Sequence, residues 1–198
     1  MKIIFATNNK NKVEEIKHLS HQKFQIFTLQ EVGIDIDIPE PHDTLEANAT
    51  EKSSTIYKLT NEAVFSEDTG LEVHALGGAP GVKSARYAGE GRNMQDNIDK
   101  LLHELKDKTS RAAQFRTVAS LIIDGKEYLF EGICKGHITT TQDGTNGFGY
   151  DPIFVPEGWS ESFAEVEKEI KNSISHRAQA FDKFIRFLKE KSGNRAAL

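Results

Sequence analysis

The 198-residue chain is predicted to be an α/β protein built on a mixed sheet, on three observations. A short apolar run, "KIIFA" at residues 2–6, is followed by a polar loop and then by a helical pattern, the alternation that lays strands side by side with helices against them. A second apolar strand, "AVFSEDTGLEV" at residues 63–73, follows another helical pattern. Later, "RAAQFRTVASLIIDGKEYLFEGICKGHI" reads as two strands joined at Asp124–Gly125, a β-hairpin. Crossovers early and a hairpin late make the sheet mixed.

The elements follow in order. Residues 2–6 are short and apolar throughout, as a buried strand requires. "NKVEEIKHL" reads as a helix with Asn11 as N-cap and Glu14 at the capping-box position. "KFQIFTL" is a second strand, and "IDIDIPEPHD" is extended and broken by Pro39 and Pro41. Asp43 and Glu46 make a second capping box for a helix from Thr44 to about Leu59. On that helix Leu45, Ala49, Ile56 and Leu59 form an apolar stripe, and Lys52 falls on it with Asn48 one turn behind. Such a lysine either snorkels from the edge of the stripe or aims its ammonium at a buried anion.

In the 63–73 strand, alternation puts Val64, Ser66 and Asp68 on one side and Phe65 and Glu67 on the other. The strand is expected to end at a turn, Thr69–Gly70, with a glycine-rich structured loop beyond it. Two acids at the end of a buried strand must each reach water, a cation or hydrogen-bond donors. "NMQDNIDKLLHELKD" is helical, with Ile98, Leu101, Leu102 and Leu105 on one face. After the hairpin comes the loop "DGTNGFGYDPIFVPEG", then a last helix with the stripe Ile174, Ala178, Phe181, Ile185 and Leu188.

Composition narrows the function. With 37% hydrophobic residues and a formal net charge of -5, the chain has enough apolar content for a core and lacks the basic excess of a general nucleic-acid binder. The first apolar run is shorter than a signal-peptide core and no segment has the length of a membrane span, so a cytoplasmic protein is expected. One cysteine, Cys134, excludes an internal disulfide and a cysteine-based zinc cluster. The sequon at Asn48–Thr50 then carries no meaning. His18 and His21 lie three apart near a helix end, where complementing the helix C-terminus is favoured over metal ligation.

Three stretches can carry chemistry. "ATNNKNK" has the form strand, polar loop, helix, which offers backbone N–H groups and a helix N-terminus to an anion. It lacks the pattern of a P-loop, and an ordinary surface turn fits it as well. "TNGFGYDP" sets Phe148 and Tyr150 among glycines, as a stacking surface for a planar ligand or as a core contact. "SISHRAQAF" puts His176 and Arg177 in the first turn of a helix, where positive charge is unfavourable unless an anion or another acceptor is present; Lys171 precedes them by about one and a half turns.

Taken together, "FATNNKNKVEEI", "SEDTGLEVHALGGAPGVKSARYAGE", "TNGFGYDPIFVPEG" and "ISHRAQAF" resemble, in order, the four signature blocks of the inosine/xanthosine triphosphate pyrophosphatase family. The resemblance implies hydrolysis of deaminated purine nucleoside triphosphates (ITP, dITP, XTP) to the monophosphate and pyrophosphate, removing them from the nucleotide pool. It implies one domain over 1–198 with an elongated mixed sheet, flanking helices and two lobes around a central cleft, and a homodimer. Matched position by position, Thr7, Asn8, Asn9, Lys10, Asn11 and Lys12 fall in the triphosphate loop. Glu40 and Asp68 fall at the magnesium positions, and Asp68 is also the proton acceptor. Lys52 matches a helix lysine near the phosphates and Thr69 a substrate contact. Phe148, Gly149, Tyr150 and Asp151 match the base and sugar loop, and Lys171, His176 and Arg177 the remaining substrate contacts. The role of Glu67 and the number of metal ions stay open. The chain departs from the family pattern at Asn8 and Asn146, where glycine is frequent, and at Glu67-Asp68-Thr69, where Asp-Asp-Ser is frequent.

Three other readings remain: a pyrophosphatase for pyrimidine or modified nucleotides, a nucleotide sensor without turnover, and an RNA-binding module. The joint presence of Glu40, Asp68 and Lys52 weighs against the sensor. Net charge and the lack of basic strands with interleaved aromatics weigh against RNA.

Overall fold

In a computed structural model, residues 2–20 and 24–195 are described. His21, and with it the His18–His21 pair, lies outside them, as does Lys23 at the start of the second expected strand. The fold is mixed α/β. Strands β1 (Lys2–Phe5), β2 (Gln25–Thr28), β3 (Val64–Val73), β4 (Pro80–Gly81), β5 (Ala112–Ile123), β6 (Lys126–Ile138) and β7 (Phe154–Pro156) form a sheet of order β2-β1-β3-β5-β6-β7, with β4 on β3. Helices α1 (Lys10–Ser20), α2 (Leu45–Thr60), α3 (Met94–Glu104), α4 (Lys168–Ile174) and α5 (His176–Arg195) complete it. No described helix is long and apolar enough to cross a membrane.

The chain divides into two compact units, Met1–Asp68 with Thr117–Gly132 and Arg177–Leu198, and Thr69–Arg116 with Ile133–His176. In the first, β1 is parallel to β2 and to β3, with Phe5 opposite Phe65 and their rings stacked at 4.2 Å. Strand alternation sorts this unit's core into two layers. Ile3, Phe5 and Phe65 pack with Ile16 of α1 and Phe181, Phe184 and Leu188 of α5, while Ile4, Ala6 and Val64 pack with Ile56 of α2. Hydroxyls also pin α2: Ser53 and Ser120 share a hydrogen bond of 2.7 Å, and Ser120 and Thr50 each donate to Glu127 Oε1 at 2.6 Å.

The second unit packs Leu71 and Val73 of β3, Ile98, Leu101 and Leu105 of the α3 face, and Phe115, Phe154 and Phe163 into one core. Cys134 is buried there, and burial pushes its thiol up to about 11. Strand β7 is antiparallel to β6.

Several local expectations are corrected. Strand β3 does not end at Thr69–Gly70 but runs straight through to Val73. Gly70 serves close approach, because a Cβ there would lie 2.6 Å from the Gly81 carbonyl oxygen on β4. Helix α1 begins at Lys10 and its cap is Asn9, whose Oδ1 accepts from the backbone N–H groups of Asn11 and Lys12, so the cap lies two residues before Asn11. Thr44, not Asp43, caps α2 by accepting from Ala47 N–H. Leu59 is exposed, and the buried face of α2 is instead Leu45, Asn48, Ala49, Lys52, Ser53 and Ile56. Ile174 belongs to α4, because Ser175 takes an extended conformation and separates it from α5. The hairpin turn stands as expected, with Asp124 and Gly125 both at positive φ (52° and 72°), the pair of left-handed residues that a type I′ turn needs.

Candidate active site

The first unit brings two charged groups to opposite faces of β3. Below Asp68, on the α2 side, Lys52 Nζ lies 2.5 Å from Glu40 Oε1 and 3.3 Å from Asp68 Oδ1. Asn48 donates to Asp68 Oδ2 at 3.2 Å and to the His42 carbonyl at 3.1 Å, and its Oδ1 accepts from His42 N–H at 2.9 Å. That one amide ties the segment after Glu40 to the strand. Ser66, two residues earlier on the same face, donates to the Ala49 carbonyl. The lysine on the stripe therefore does not snorkel: it is buried, with its ammonium on two carboxylates.

On the other face, Glu67 accepts from Arg177 Nε at 2.9 Å on both oxygens, and Arg177 Nη1 donates to Glu15 Oε2. Lys12 Nζ adds a fourth charge, 3.2 Å from Glu67 Oε1. Glu15, Glu67 and Arg177 are all buried. These acids are the acceptors that a cation in the first turn of α5 needs. Arg177 thus presents Nε and Nη1 to carboxylates of its own chain.

Burial alone would raise both neighbouring acids, and their partners decide the outcome. Glu67 ends below the usual glutamate range, because Arg177 and Lys12 together outweigh its burial. Asp68 ends above its usual value, burial prevailing over Lys52 and Lys12 while Glu40 adds like charge. The like charge of Glu40 beside Asp68, against the guanidinium bonded to Glu67, is the physical difference between the faces. Lys52 itself is held protonated: burial opposes its charge, but Asp68 and Glu40 override it.

The loop before α1 is the exposed part of this unit's candidate site. Asn8, Asn9, Lys10 and Asn11 are exposed and Thr7 and Lys12 half-buried. Thr7 Oγ1 accepts from Asn9 N–H, and Asn8 donates to the Ile36 carbonyl at 2.9 Å, so side chains fix the loop's backbone before the helix.

The second unit holds the glycine-rich loop. Asp151 Oδ2 accepts from Phe148 N–H and from Lys171 Nζ, each at 2.7 Å, and Lys171 Nζ sits 4.8 Å from the Phe148 ring centroid. Gly147 makes this possible, since a Cβ on it would collide with Asp151 Oδ2 at 2.1 Å. Phe148 and Gly149 are half-buried, and the Gly149 N–H points to Met94 Sδ at 3.1 Å. Tyr150 is a core residue whose hydroxyl donates to the Ser84 carbonyl at 2.8 Å. Thr69 is half-buried on β3, and His176 is buried with its ring stacked on Phe115 at 4.6 Å.

Glu15 carries no mark in the sequence that sets it apart from Glu14, which fits a capping box; only its burial on α1 beside Ile16 does so. Magnesium takes oxygen ligands, often one or two carboxylates completed by substrate phosphates. Glu40 and Asp68 fit that donor set, since they already converge on a cation. Among the described residues no group of three or more His, Cys, Asp or Glu could hold a metal by itself.

The buried triad gives a stability prediction. Arg177→Met leaves Glu15 and Glu67 buried without their guanidinium and is expected to lower the unfolding free energy by about 3–5 kcal/mol at neutral pH, read by urea denaturation. The lowered native pKa of Glu67 contributes stability above the unfolded value of ~4.3 that disappears as pH falls through the native value. The gap between variant and parent should therefore narrow in acid. Equal midpoints at pH 7 would contradict the assignment.

The model of the Ham1 family matches residues 3–187. A protein of Flavobacterium johnsoniae named dITP/XTP pyrophosphatase is 50% identical over 188 residues, covering 95% of this chain and 98% of that one. A Porphyromonas gingivalis protein of the same name is also 50% identical, over 94% of this chain and 97% of its own length. Among solved structures, the Staphylococcus aureus Ham1 protein superposes with a TM-score of 0.88 at 39% identity, covering 96% of this chain and all of that one. A HAM1 protein from Coxiella burnetii gives 0.89 at 33% identity, over 96% of this chain and 99% of its own. With the family pattern running from β1 into α5 and full-length relatives at half identity, the chain belongs to the Ham1 family.

Proposed function

We propose that this protein hydrolyses deaminated purine nucleoside triphosphates, ITP, dITP and XTP, to the nucleoside monophosphate and pyrophosphate in a magnesium-dependent reaction. The observation that carries the reading is the convergence of Glu40 and Asp68 on one buried ammonium, in the unit that also presents the exposed residues Asn8 to Asn11. The named activity of the full-length relatives supports it.

Glu40 and Asp68 would hold magnesium, which supplies charge neutralisation to the phosphates and to the departing pyrophosphate. The positive end of the α1 dipole faces the triphosphate, and Lys12 and Lys52 offer ammonium groups. Asp68 orients a water toward the α-phosphorus and takes its proton. The new P–O bond forms as the bond to the bridging β-phosphate oxygen breaks, and pyrophosphate leaves with that oxygen. An acid whose affinity for protons is raised by burial is better matched to this task than an ordinary aspartate. Asn48 keeps the Asp68 carboxylate in place through its bond to Oδ2.

In the second unit, the Phe148 ring offers a stacking face, and Gly149 lets a planar ligand approach the backbone. Asp151 fixes Phe148 and Lys171 together. Hypoxanthine and xanthine carry an acceptor at position 6 where adenine carries a donor, and His176 is assigned to that acceptor and Lys171 to substrate; Arg177, with Nε and Nη1 on Glu67 and Glu15 in the first unit, is assigned to substrate as well. Thr69 follows Asp68 directly and is assigned to substrate. Tyr150 supports the loop from the core. The reading extends to a cytoplasmic homodimer.

Pyrophosphate release measured across a panel of nucleoside triphosphates is expected to favour ITP, dITP and XTP over ATP and to require magnesium. Equal turnover of ATP and ITP would overturn the substrate assignment. Asp68→Asn should keep the fold and lose turnover by about 10²-fold or more; activity within a few-fold of the parent would remove Asp68 from the chemistry. Light scattering at micromolar concentration should report a dimer, and a monomer would contradict that extension.

A further inference from the structure

The position of Lys52 implies an order of binding. Its Nζ is the shared partner of Glu40 Oε1 and Asp68 Oδ1, at 2.5 and 3.3 Å, and the lysine and Asp68 side chains are each only 8% exposed. Two oxygen donors with a cation already on both are chemically a cation site in use. Helix α2 fixes that ammonium: Lys52 stands between Asn48, bonded to Asp68 and to the His42 backbone, and Ser53, bonded to Ser120. The two carboxylates with the ammonium make a local charge of -1, against -2 without it.

We propose that Lys52 is the resident counter-cation of the Glu40–Asp68 pair in the nucleotide-free protein, that it keeps a free divalent ion out, and that metal enters only in company with a triphosphate that draws the ammonium away. The triphosphate is the group able to do this, because it brings both competing anionic oxygens for Lys52 and further ligands for the metal. No bond is made or broken. The ammonium exchanges carboxylate partners for phosphate partners, and the carboxylates exchange an ammonium for a divalent ion. The pair has a cation at both stages, which avoids leaving buried Asp68 beside Glu40 with no compensating charge. Lys52 is thus a positioning residue for the metal as well as a phosphate contact, and the protein without nucleotide should bind magnesium only weakly. This rests on the metal assignment to Glu40 and Asp68 given above.

The test is metal binding, without turnover. Mn²⁺ and Mg²⁺ are titrated calorimetrically into nucleotide-free protein. The parent should bind weakly, and Lys52→Met, which keeps stem length and apolar packing, should bind about tenfold more tightly or better, since a unit charge within a few ångströms has been removed. Adding Asp68→Asn to Lys52→Met should cancel the gain, and Lys52→Arg, which keeps the charge, should leave binding weak. Equal metal affinity in parent and Lys52→Met, both folded by circular dichroism, overturns the proposal. If Lys52→Met does not fold, the parent alone decides. Mn²⁺ affinity should rise in the presence of a non-hydrolysable ITP analogue, and unchanged affinity overturns the proposal. Failure of the underlying metal assignment is separable: it would appear as magnesium-independent pyrophosphate release by the parent.

Discussion

A strand repeats every two residues, and β3 turns that repeat into a division of labour. Because Glu67 and Asp68 are consecutive, the backbone forces them to opposite faces, and each must be neutralised from a different layer. α2 supplies Lys52 and Asn48 on one side, while α1 and the start of α5 supply Lys12 and Arg177 on the other. The same alternation sorts the apolar residues before them, with Val64 in one core layer and Phe65 in the other. A one-residue slip in the β1–β3 register would exchange both acids and both apolar residues at once.

The two faces are neutralised to different degrees. Glu67 meets two cations and behaves as a fixed anion that ties α5 to α1 through Arg177 and Glu15. Asp68 shares one ammonium with Glu40 and keeps the higher proton affinity. Two acids of opposite shift can therefore stand next to each other in sequence, distinguished by the guanidinium bonded to one and the like charge of Glu40 beside the other. The rigidity of the first face matters to the second, since any displacement of Glu67 is carried along one peptide unit to Asp68.

Much of this was legible in the sequence where it depends on periodicity or on unusual chemistry in an ordinary pattern. The α/β class, the hairpin at Asp124–Gly125, the opposed faces of Glu67 and Asp68, and Lys52 as an anomaly on the α2 stripe all follow from local spacing. What was not legible depends on partners distant in the chain. Arg177 and Glu15 lie 162 positions apart, and nothing local distinguishes Glu15 from Glu14. Gly70 reads as a turn because its purpose, admitting the Gly81 backbone, exists only once β4 is in place. Tyr150 and Phe148 look alike in the glycine-rich loop, and only packing assigns one to the core and leaves the other half-exposed. The caps, Asn9 and Thr44, lie one or two residues from the positions the pattern suggests because several Asn, Asp and Thr side chains compete for the same role.

The contact between Met94 and Gly149 has a chemical side. Cys134 is buried with a thiol pushed up to about 11, which leaves almost no thiolate to meet an oxidant. Met94 is 51% exposed, and its sulfur faces the Gly149 N–H at 3.1 Å. A thioether is a weak acceptor, and its sulfoxide is polar and strongly accepting. Peroxide would therefore spare the cysteine and act at the methionine, replacing a soft contact beneath the Phe148 loop with a bulkier, firmer one that methionine sulfoxide reductase can reverse.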